Sequence, residues 1–407
     1  MKVLIVSQYF WPEEFRINDL SVELVNLGHE VTVLTGIPNY PLGKEFNEFS
    51  KKPSSFSNYG GVEIVRVPII TRGKSSFKLA LNYLSYVLTA SFLAPLKLRN
   101  KSFDVILVCQ LSPVTVALPA ILLKKLKGIP LAMWSLDLWP DSVRAVGKGG
   151  PDFMYKLLEK LVSYIYKNCD LILGQSEEYL LCISELDKGN SKKVIFPNWA
   201  EDVFNSEFKN LDIGYKKEND SFVVLFAGNV GEAQDFESIV NAAMYLKENK
   251  QKVIFSIVGD GSKFTWLKSV ISAYELESYF ELHGRHPVSE MPKYYKSANA
   301  ALLSLKTNKI FKLTVPGKLQ SYMMSKLPVL GMIDGAGASL INDSKCGYAT
   351  NASDYVNLAK NIMKMIEMSP DEMSQLGQNG YEYAVNHFSR SALVNRLSSE
   401  LEHLKFK

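Results

Sequence analysis

Short, almost wholly apolar runs recur along this chain, each followed by a helix-length segment. In the first half they fall at residues 3–7, 31–34, 62–67, 105–108, 131–134 and 171–173. A strand that is apolar at nearly every position must be covered on both faces. Parallel sheets with helices on either side meet that demand, and sheets with one wet face do not. The first forty residues show the repeating unit: a strand at 3–7, a loop, a helix at 20–27 closed by Gly28-His29, and a strand at 31–34. A second series starts near residue 222, with strands predicted at 222–226, 253–258, 281–283, 300–304 and 329–331 and a helix at 236–247. Helices at 353–368, 370–385 and 390–405 close the chain, and the polar stretch 201–220 reads as a linker. The expected class is α/β. Two Rossmann-like, doubly wound domains, 1–195 and 196–385, would face each other across a cleft, with 386–407 packing back on the first. Such sheets bind ligands at the carboxyl ends of their strands.

Composition narrows the functional classes. With 407 residues, 47% of them hydrophobic and 22% charged, the chain can fill two cores. A net charge of +4 is too small to argue for nucleic acid. The charge is uneven, however: residues 1–195 hold 23 Lys and Arg against 18 Asp and Glu, which suits an anionic surface. The four cysteines, Cys109, Cys169, Cys182 and Cys346, show neither a CxxC pair nor metal spacing. A reducing compartment and buried thiols at Cys109 and Cys169 are expected. The opening MKVLIV run is too short and too strand-like for a secretion signal.

Several segments carry chemistry. Residues 314–329, TVPGKLQSYMMSKLPV, rise through Pro316-Gly317-Lys318 into a helix. A helix start presents unpaired N–H groups and a positive dipole end, and a lysine there completes an anion socket. Gly228 to Gly231 allows close approach of backbone to ligand. Asp260 lies between two glycines, where turn chemistry competes with a ligand role. Arg285, after Gly284, can stack on a base or bind a phosphate. Asp137, in SLDLWPD, follows a strand, where a carboxylate can orient a ligand hydroxyl or stabilise developing positive charge. Its plainer reading is a helix cap. The loop 8–18 opens a helix where phosphates are approached, and Arg16 and Asn18 are its candidates, with capping by Asn18 or Asp19 as the alternative. That loop is not glycine-rich, which disfavours a nicotinamide cofactor. His286 and His387 show no metal spacing. Finally, residues 77–98 hold eighteen uncharged residues between Lys78 and Lys97, interrupted by Asn82, Ser85, Thr89 and Ser91. Arg72, Lys74, Lys78, Lys97, Arg99 and Lys101 cluster around them, with Lys124, Lys125 and Lys127 beyond. An amphipathic basic surface for anionic lipid and a core helix are both consistent with this pattern.

Taken together, YFWPEEFRINDL, LGHEVTVLTGIPNYP, WSLDLWPDS, FPNW, FAGNVGEAQDFE, IVGDGSKF, HGRHPVSEMPKYYKSANAALLSL and VPGKLQSYMMSKLPVL resemble retaining glycosyltransferases of family 4. The likeness is greatest to the bacterial capsule and O-antigen branch that uses UDP-N-acetyl-aminosugars, including N-acetylfucosaminyl transferases, and runs from residue 1 to about 388. It implies a GT-B fold, a UDP-sugar donor such as UDP-L-FucNAc, a lipid-linked (undecaprenyl diphosphate) saccharide acceptor, and a cytoplasmic position on the inner face of the membrane. It implies no cofactor and no metal. Carried onto this chain, it makes Asp137 the catalytic candidate. The donor set becomes Arg16, Asn18, Gly228, Asn229, Gln234, Asp260, Arg285, Pro316, Gly317, Lys318 and Ser321. Two departures stand out. The family's two glutamates, eight positions apart, fall on Leu313 and Ser321. Its diphosphate-gripping Arg and Lys fall on Asn229 and Gln234, which leaves Lys318 and Arg16 as the cations. Without a carboxylate pair, front-face attack is the expected route to retention. A UDP-sugar 2-epimerase and a non-catalytic nucleotide-sugar-binding scaffold are the competing classes. Epimerisation without acceptor would favour the first, and pathway function surviving Asp137→Ala the second.

Overall fold

The computed structural model describes residues 1–41, 43–73, 75–146, 151–189, 191–200, 203–204 and 221–405. Of the 201–220 stretch read as a linker, only Val203 and Phe204 fall among them, and Lys74 lies outside them. The chain divides into two compact units, Met1–Phe196 with Leu393–Lys407, and Pro197–Ala392.

The first unit is built on eight strands: β1 (Lys2–Val6), β2 (Glu30–Gly36), β3 (Asn58–Tyr59), β4 (Val62–Val67), β5 (Val105–Gln110), β6 (Leu131–Ser135), β7 (Leu171–Gly174) and β8 (Lys192–Ile195). Their order in the sheet is β3-β4-β2-β1-β5-β6-β7-β8, parallel except for the short β3–β4 pair. The apolar runs are therefore central strands: β1, β5, β6 and β7 are buried along nearly their whole length. Chain direction across the sheet reverses between β1 and β5, and the loops that follow these two strands flank that point. The first helix runs Arg16–Asn26, four residues earlier than the sequence pattern suggested. Its N-cap is Phe15 and carries no side-chain cap, so neither Asn18 nor Asp19 caps it. The closing helix Arg390–Lys405 contributes Leu393, Val394, Leu397, Leu401 and Leu404 to the buried set. Ser398 meets His29 Nε2 at 2.7 Å, Lys192 donates to Glu400 at 2.5 Å, and Lys405 pairs with Asp104 at 3.2 Å.

The second unit holds β9 (Phe222–Ala227), β10 (Val253–Val258), β11 (Phe280–Gly284), β12 (Ala300–Ser304), β13 (Val329–Met332) and β14 (Gly347–Thr350), ordered β11-β10-β9-β12-β13-β14 and wholly parallel. Two apolar clusters cover its two faces: Phe226, Phe236 and Ile239 belong to one, and Leu225, Leu319 and Tyr322 to the other. The direction of winding reverses between β9 and β12. Cys109, Cys169 and Cys346 are buried free thiols, while Cys182 is partly exposed.

One buried carboxylate organises the loops at the carboxyl edge of the first sheet. Glu13 accepts the backbone N–H of Asn39 and of Tyr40, both at 2.7 Å, and that of Phe10 at 3.2 Å. The loop after β1 is thereby tied to the loop after β2. Burial pushes the Glu13 carboxyl up to about 7 even against those three N–H donors and the nearby Arg66. Arg66 donates to the carbonyls of Gly36 (2.9 Å) and Trp11. Glu13→Ala strands three buried N–H groups and is expected to destabilise the first unit by about 2–4 kcal/mol; urea unfolding followed by tryptophan fluorescence measures it.

Candidate active site

The carboxyl edge of the second sheet assembles the densest set of ligand-binding features. Three strand ends meet there. Gly228 N–H donates to Val258 O at 2.8 Å, Gly259 N–H to Gly284 O at 2.7 Å, and Val230 N–H to Asp260 O at 3.0 Å. Gly228 has φ +136° and Gly259 φ +148°, backbone that side-chain-bearing residues rarely adopt. A Cβ on Gly259 would lie 1.8 Å from Gly228 O, and one on Gly228 would lie 2.4 Å from Lys318 Cε. The second of these explains the glycine: it vacates the space that Lys318 occupies.

Lys318 is the second residue of the helix Gly317–Met324, for which Pro316 is the N-cap. One turn further on, the buried Tyr322 hydroxyl accepts the N–H of Ala227 at 3.1 Å, locking this helix to the end of β9. That lock places the Lys318 ammonium 3.9 Å from the centre of the Phe226 ring. Among the described residues it has no carboxylate partner and no hydrogen bond, and the aromatic face is its sole cationic contact. Burial pulls its pKa down from 10.5 to about 7. The neighbouring lysines differ. Lys263 pairs with Glu232 (2.8 Å) and Glu237 (2.9 Å), and Lys306 pairs with the same two carboxylates. Their ion pairs hold the exposed Glu232 carboxyl down at about 2. Lys318 is therefore held, among the described residues, without a neutralising carboxylate beside the glycine backbone and a helix start.

The other predicted donor residues fall as follows. Asn229 is exposed, and its Nδ2 donates to Gln234 Oε1 at 3.3 Å. That oxygen also accepts Gly231 N–H at 3.2 Å, so both amides shape the loop after β9. Asp260 is exposed and its Oδ1 accepts Gly261 N–H at 2.7 Å, which is turn chemistry. Arg285 follows the end of β11, exposed and without a partner among the described residues. Ser321 sits one turn beyond Lys318 and is buried. Leu313 ends the short helix Lys309–Leu313. Sequence reading missed Phe226 and Tyr322, which position Lys318, and nothing in the local sequence marks them, because each acts through a residue distant in the chain. The buried hydroxyl of Ser304, at the end of β12, has no partner among the described residues.

In the first unit, Asp137 follows β6. Its carboxylate accepts the indole N–H of Trp139 at 2.9 Å, and its carbonyl accepts Gln110 Nε2 at 2.9 Å. The next helix begins only at Asp141, so the carboxylate of Asp137 is not that helix's cap; Trp139 holds it at the strand edge. Arg16 is the first residue of its helix and partly exposed. Asn18 corrects the sequence-based expectation. It is buried, its Nδ2 donates to Glu13 O at 2.7 Å and its Oδ1 accepts Trp11 N–H at 3.1 Å. Both ends of its amide hold the loop. A pocket lined by Lys2, His29, Glu30 and Lys101 opens at the amino ends of β1 and β2, the edge opposite Asp137.

Comparison with known proteins fits this geometry. Residues 14–199 match the glycosyl transferase 4-like domain and residues 207–383 match glycosyl transferases group 1. A probable glycosyltransferase, WbjE, of Pseudomonas aeruginosa is 28% identical over 336 residues, covering 76% of this chain and 79% of that protein. The putative colanic acid biosynthesis glycosyl transferase WcaI of Escherichia coli K12 is 25% identical over 278 residues, covering 64% and 66%. Among solved structures, Anabaena Alr3699/HepE in complex with UDP and glucose superposes with a TM-score of 0.63 at 13% identity, covering 99% of both chains.

Lys318→Met removes a desolvated charge and should stabilise the protein by about 1–2 kcal/mol. The depressed pKa sets the sign: the folded state disfavours the proton, so the gain is full below pH 7 and fades toward pH 10.5. Thermal unfolding of both proteins across that pH range checks it.

Proposed function

For this chain, a glycosyltransferase that pairs a glycosyl transferase 4-like domain with a group 1 glycosyl transferase domain in a GT-B fold, we propose a retaining, UDP-sugar-dependent transferase of surface polysaccharide synthesis. The observation that carries the donor reading is Lys318, a desolvated and unneutralised lysine at a helix start beside the open backbone of Gly228. A diphosphate supplies the negative charge this lysine lacks, and the N–H groups at the start of the helix add donors for its oxygens. Arg285, exposed at the end of β11, is assigned to the nucleoside side, where a guanidinium stacks on a base or meets a phosphate. Support for UDP comes from the shared fold with a protein solved with UDP and glucose. Support for polysaccharide synthesis comes from the relative named for colanic acid biosynthesis. We take the donor to be a UDP-N-acetyl-aminosugar such as UDP-L-FucNAc and the acceptor a saccharide on an undecaprenyl diphosphate carrier, at the cytoplasmic face of the membrane.

Chemically, the departing UDP needs charge stabilisation at its β-phosphate, and Lys318 with the helix N-terminus provides it. The two family glutamates are absent, replaced by Leu313 and the buried Ser321. Without a carboxylate pair to form a glycosyl-enzyme, the acceptor hydroxyl attacks from the face the UDP leaves and passes its proton to a leaving phosphate oxygen. Asp137, held by the Trp139 indole, orients a hydroxyl of the reacting sugars. No cofactor or metal takes part in this reading.

Lys318→Met should weaken UDP binding by about 1.5–3 kcal/mol, the worth of a charged hydrogen bond, as measured by calorimetry. Unchanged affinity would remove Lys318 from the phosphate site. Binding a diphosphate raises the lysine's pKa again, so wild-type affinity should fall as pH rises above 7. Lys318→Arg, always charged, should flatten that profile. Inversion at the anomeric carbon, seen by NMR of the product, would overturn the front-face route.

A further inference from the structure

The first unit carries a broad apolar surface that its own core does not use. Helix Ser76–Lys97 is apolar on both sides. One line, Asn82, Tyr86, Ala90 and Ala94, is wholly buried against the sheet. The opposite line, Phe77, Leu84, Leu88, Phe92 and Leu96, faces solvent, with Phe77 72% and Phe92 73% exposed. After Phe77 these residues recur every fourth position, one continuous ridge on a 22-residue helix of about 33 Å. Two further helices extend it. Ala117–Lys127 exposes Leu126, and Asp152–Lys167 exposes Phe153, Met154, Leu157 and Tyr164. The three are tied side by side: Lys125 Nζ donates to Tyr164 Oη at 3.2 Å, and Lys127 Nζ donates to Leu98 O at 3.0 Å. An exposed apolar area of this kind marks a docking face rather than ordinary surface.

Its charge selects the occupant. Residues 76–99, 117–127 and 152–167 carry nine Lys and Arg against two acidic residues, Asp152 and Glu159. Glu159 is already paired with Arg144 at 2.7 Å. A protein partner or a second copy of this chain would have to bring matching acidic groups, whereas an anionic bilayer offers apolar depth and negative headgroups together. A transmembrane path for Ser76–Lys97 does not fit. Asn82 Oδ1 accepts from Gln8 at 2.7 Å, its Nδ2 donates to Ile70 O at 2.6 Å, and the Tyr86 hydroxyl donates to Leu34 O at 3.3 Å. Pulling the helix from the sheet would break all three. We propose that these three helices form a monotopic docking surface, seated in the plane of an anionic membrane with the ridge from Phe77 to Leu96 and the Phe153–Leu157 pair as its apolar anchors.

The placement has a consequence for the acceptor. In a parallel sheet the connecting helices run from the carboxyl edge back to the amino edge. Phe77 and Phe153, at the starts of their helices, therefore stand toward the edge that carries Asp137. A lipid-linked acceptor would reach that edge from the bilayer. This clause alone rests on the acceptor reading given above; docking itself does not.

The test is co-sedimentation of the full chain with phosphatidylglycerol-containing and pure phosphatidylcholine vesicles. Wild type should partition at least tenfold more strongly to the anionic vesicles, and less as salt rises. Phe92→Ser with Leu157→Ser should lower that partitioning at least tenfold. Lys78→Glu, Lys97→Glu, Lys156→Glu and Lys160→Glu together should abolish the preference for anionic lipid. UDP affinity, measured alongside by calorimetry, should stay at the wild-type value in both variants, which shows that they fold and separates this proposal from the donor reading. Wild type that ignores anionic vesicles, or an apolar variant that partitions undiminished, would overturn the proposal. So would a wild-type dimer, by analytical ultracentrifugation, that the apolar substitutions dissociate while vesicle binding persists.

Discussion

Parallel strands buried on both faces leave a protein little freedom over where to put its chemistry. In both units the central strands have no side open to water, so helices must cover each face and polar groups are pushed to the strand ends. At the carboxyl edges the chain turns from strand to helix, and there lie the N–H groups and glycines that can meet a charged ligand. Gly228, Gly259 and Gly284 are three such ends of adjacent strands, cross-linked by backbone hydrogen bonds. Asp137 occupies the corresponding edge of the first sheet, after β6.

Within that frame Lys318 is placed at a cost to folding. The Tyr322 hydroxyl anchors its helix to Ala227, Phe226 supplies an aromatic floor, and Gly228 leaves the room. The lysine thus sits where water is scarce and, among the described residues, no carboxylate neutralises it, while Lys263 and Lys306 nearby are paired with Glu232 and Glu237. In the proposed reading, a charge that folding disfavours and an anion favours is a binding site whose affinity is prepared in advance. Asn229 and Gln234, uncharged, fold onto their own loop, so in the proposed reading Lys318 is the cation that meets the phosphates.

The same economy of burial shapes the first unit's outer surface. Helix Ser76–Lys97 satisfies the sheet with one face and leaves an apolar ridge on the other, which no core requirement explains. Its composition permitted both a core helix and an interfacial one; the fold buries one side in the core and leaves the other exposed.

Much of this protein was legible in its residues. Apolar runs such as 105–108 and 253–258 declared central parallel strands, because a strand without polar positions has no other stable environment. Gly228, Asp260, Arg285 and Lys318 announced strand-end loops and a helix start through local chemistry that needs only near neighbours. Other features were decided by contacts between distant segments. Asn18 read as a ligand contact, yet its amide is consumed by Glu13 and Trp11. Glu13 drew no reading from the sequence, yet it grips Asn39 and Tyr40 across two strand ends. Lys318 read as the cation of an anion socket at a helix start, and only the packing of Phe226, Gly228 and Tyr322 around it makes it a desolvated cation without a counter-charge among the described residues. Periodicity and turn residues are local, so the sequence alone determined the central apolar strands and the edges where loops meet helices, while the short flanking strands Asn58–Tyr59, Lys192–Ile195 and Gly347–Thr350 went unread. Desolvation and hydrogen-bond satisfaction depend on what else is close in space, and only the tertiary structure decided them.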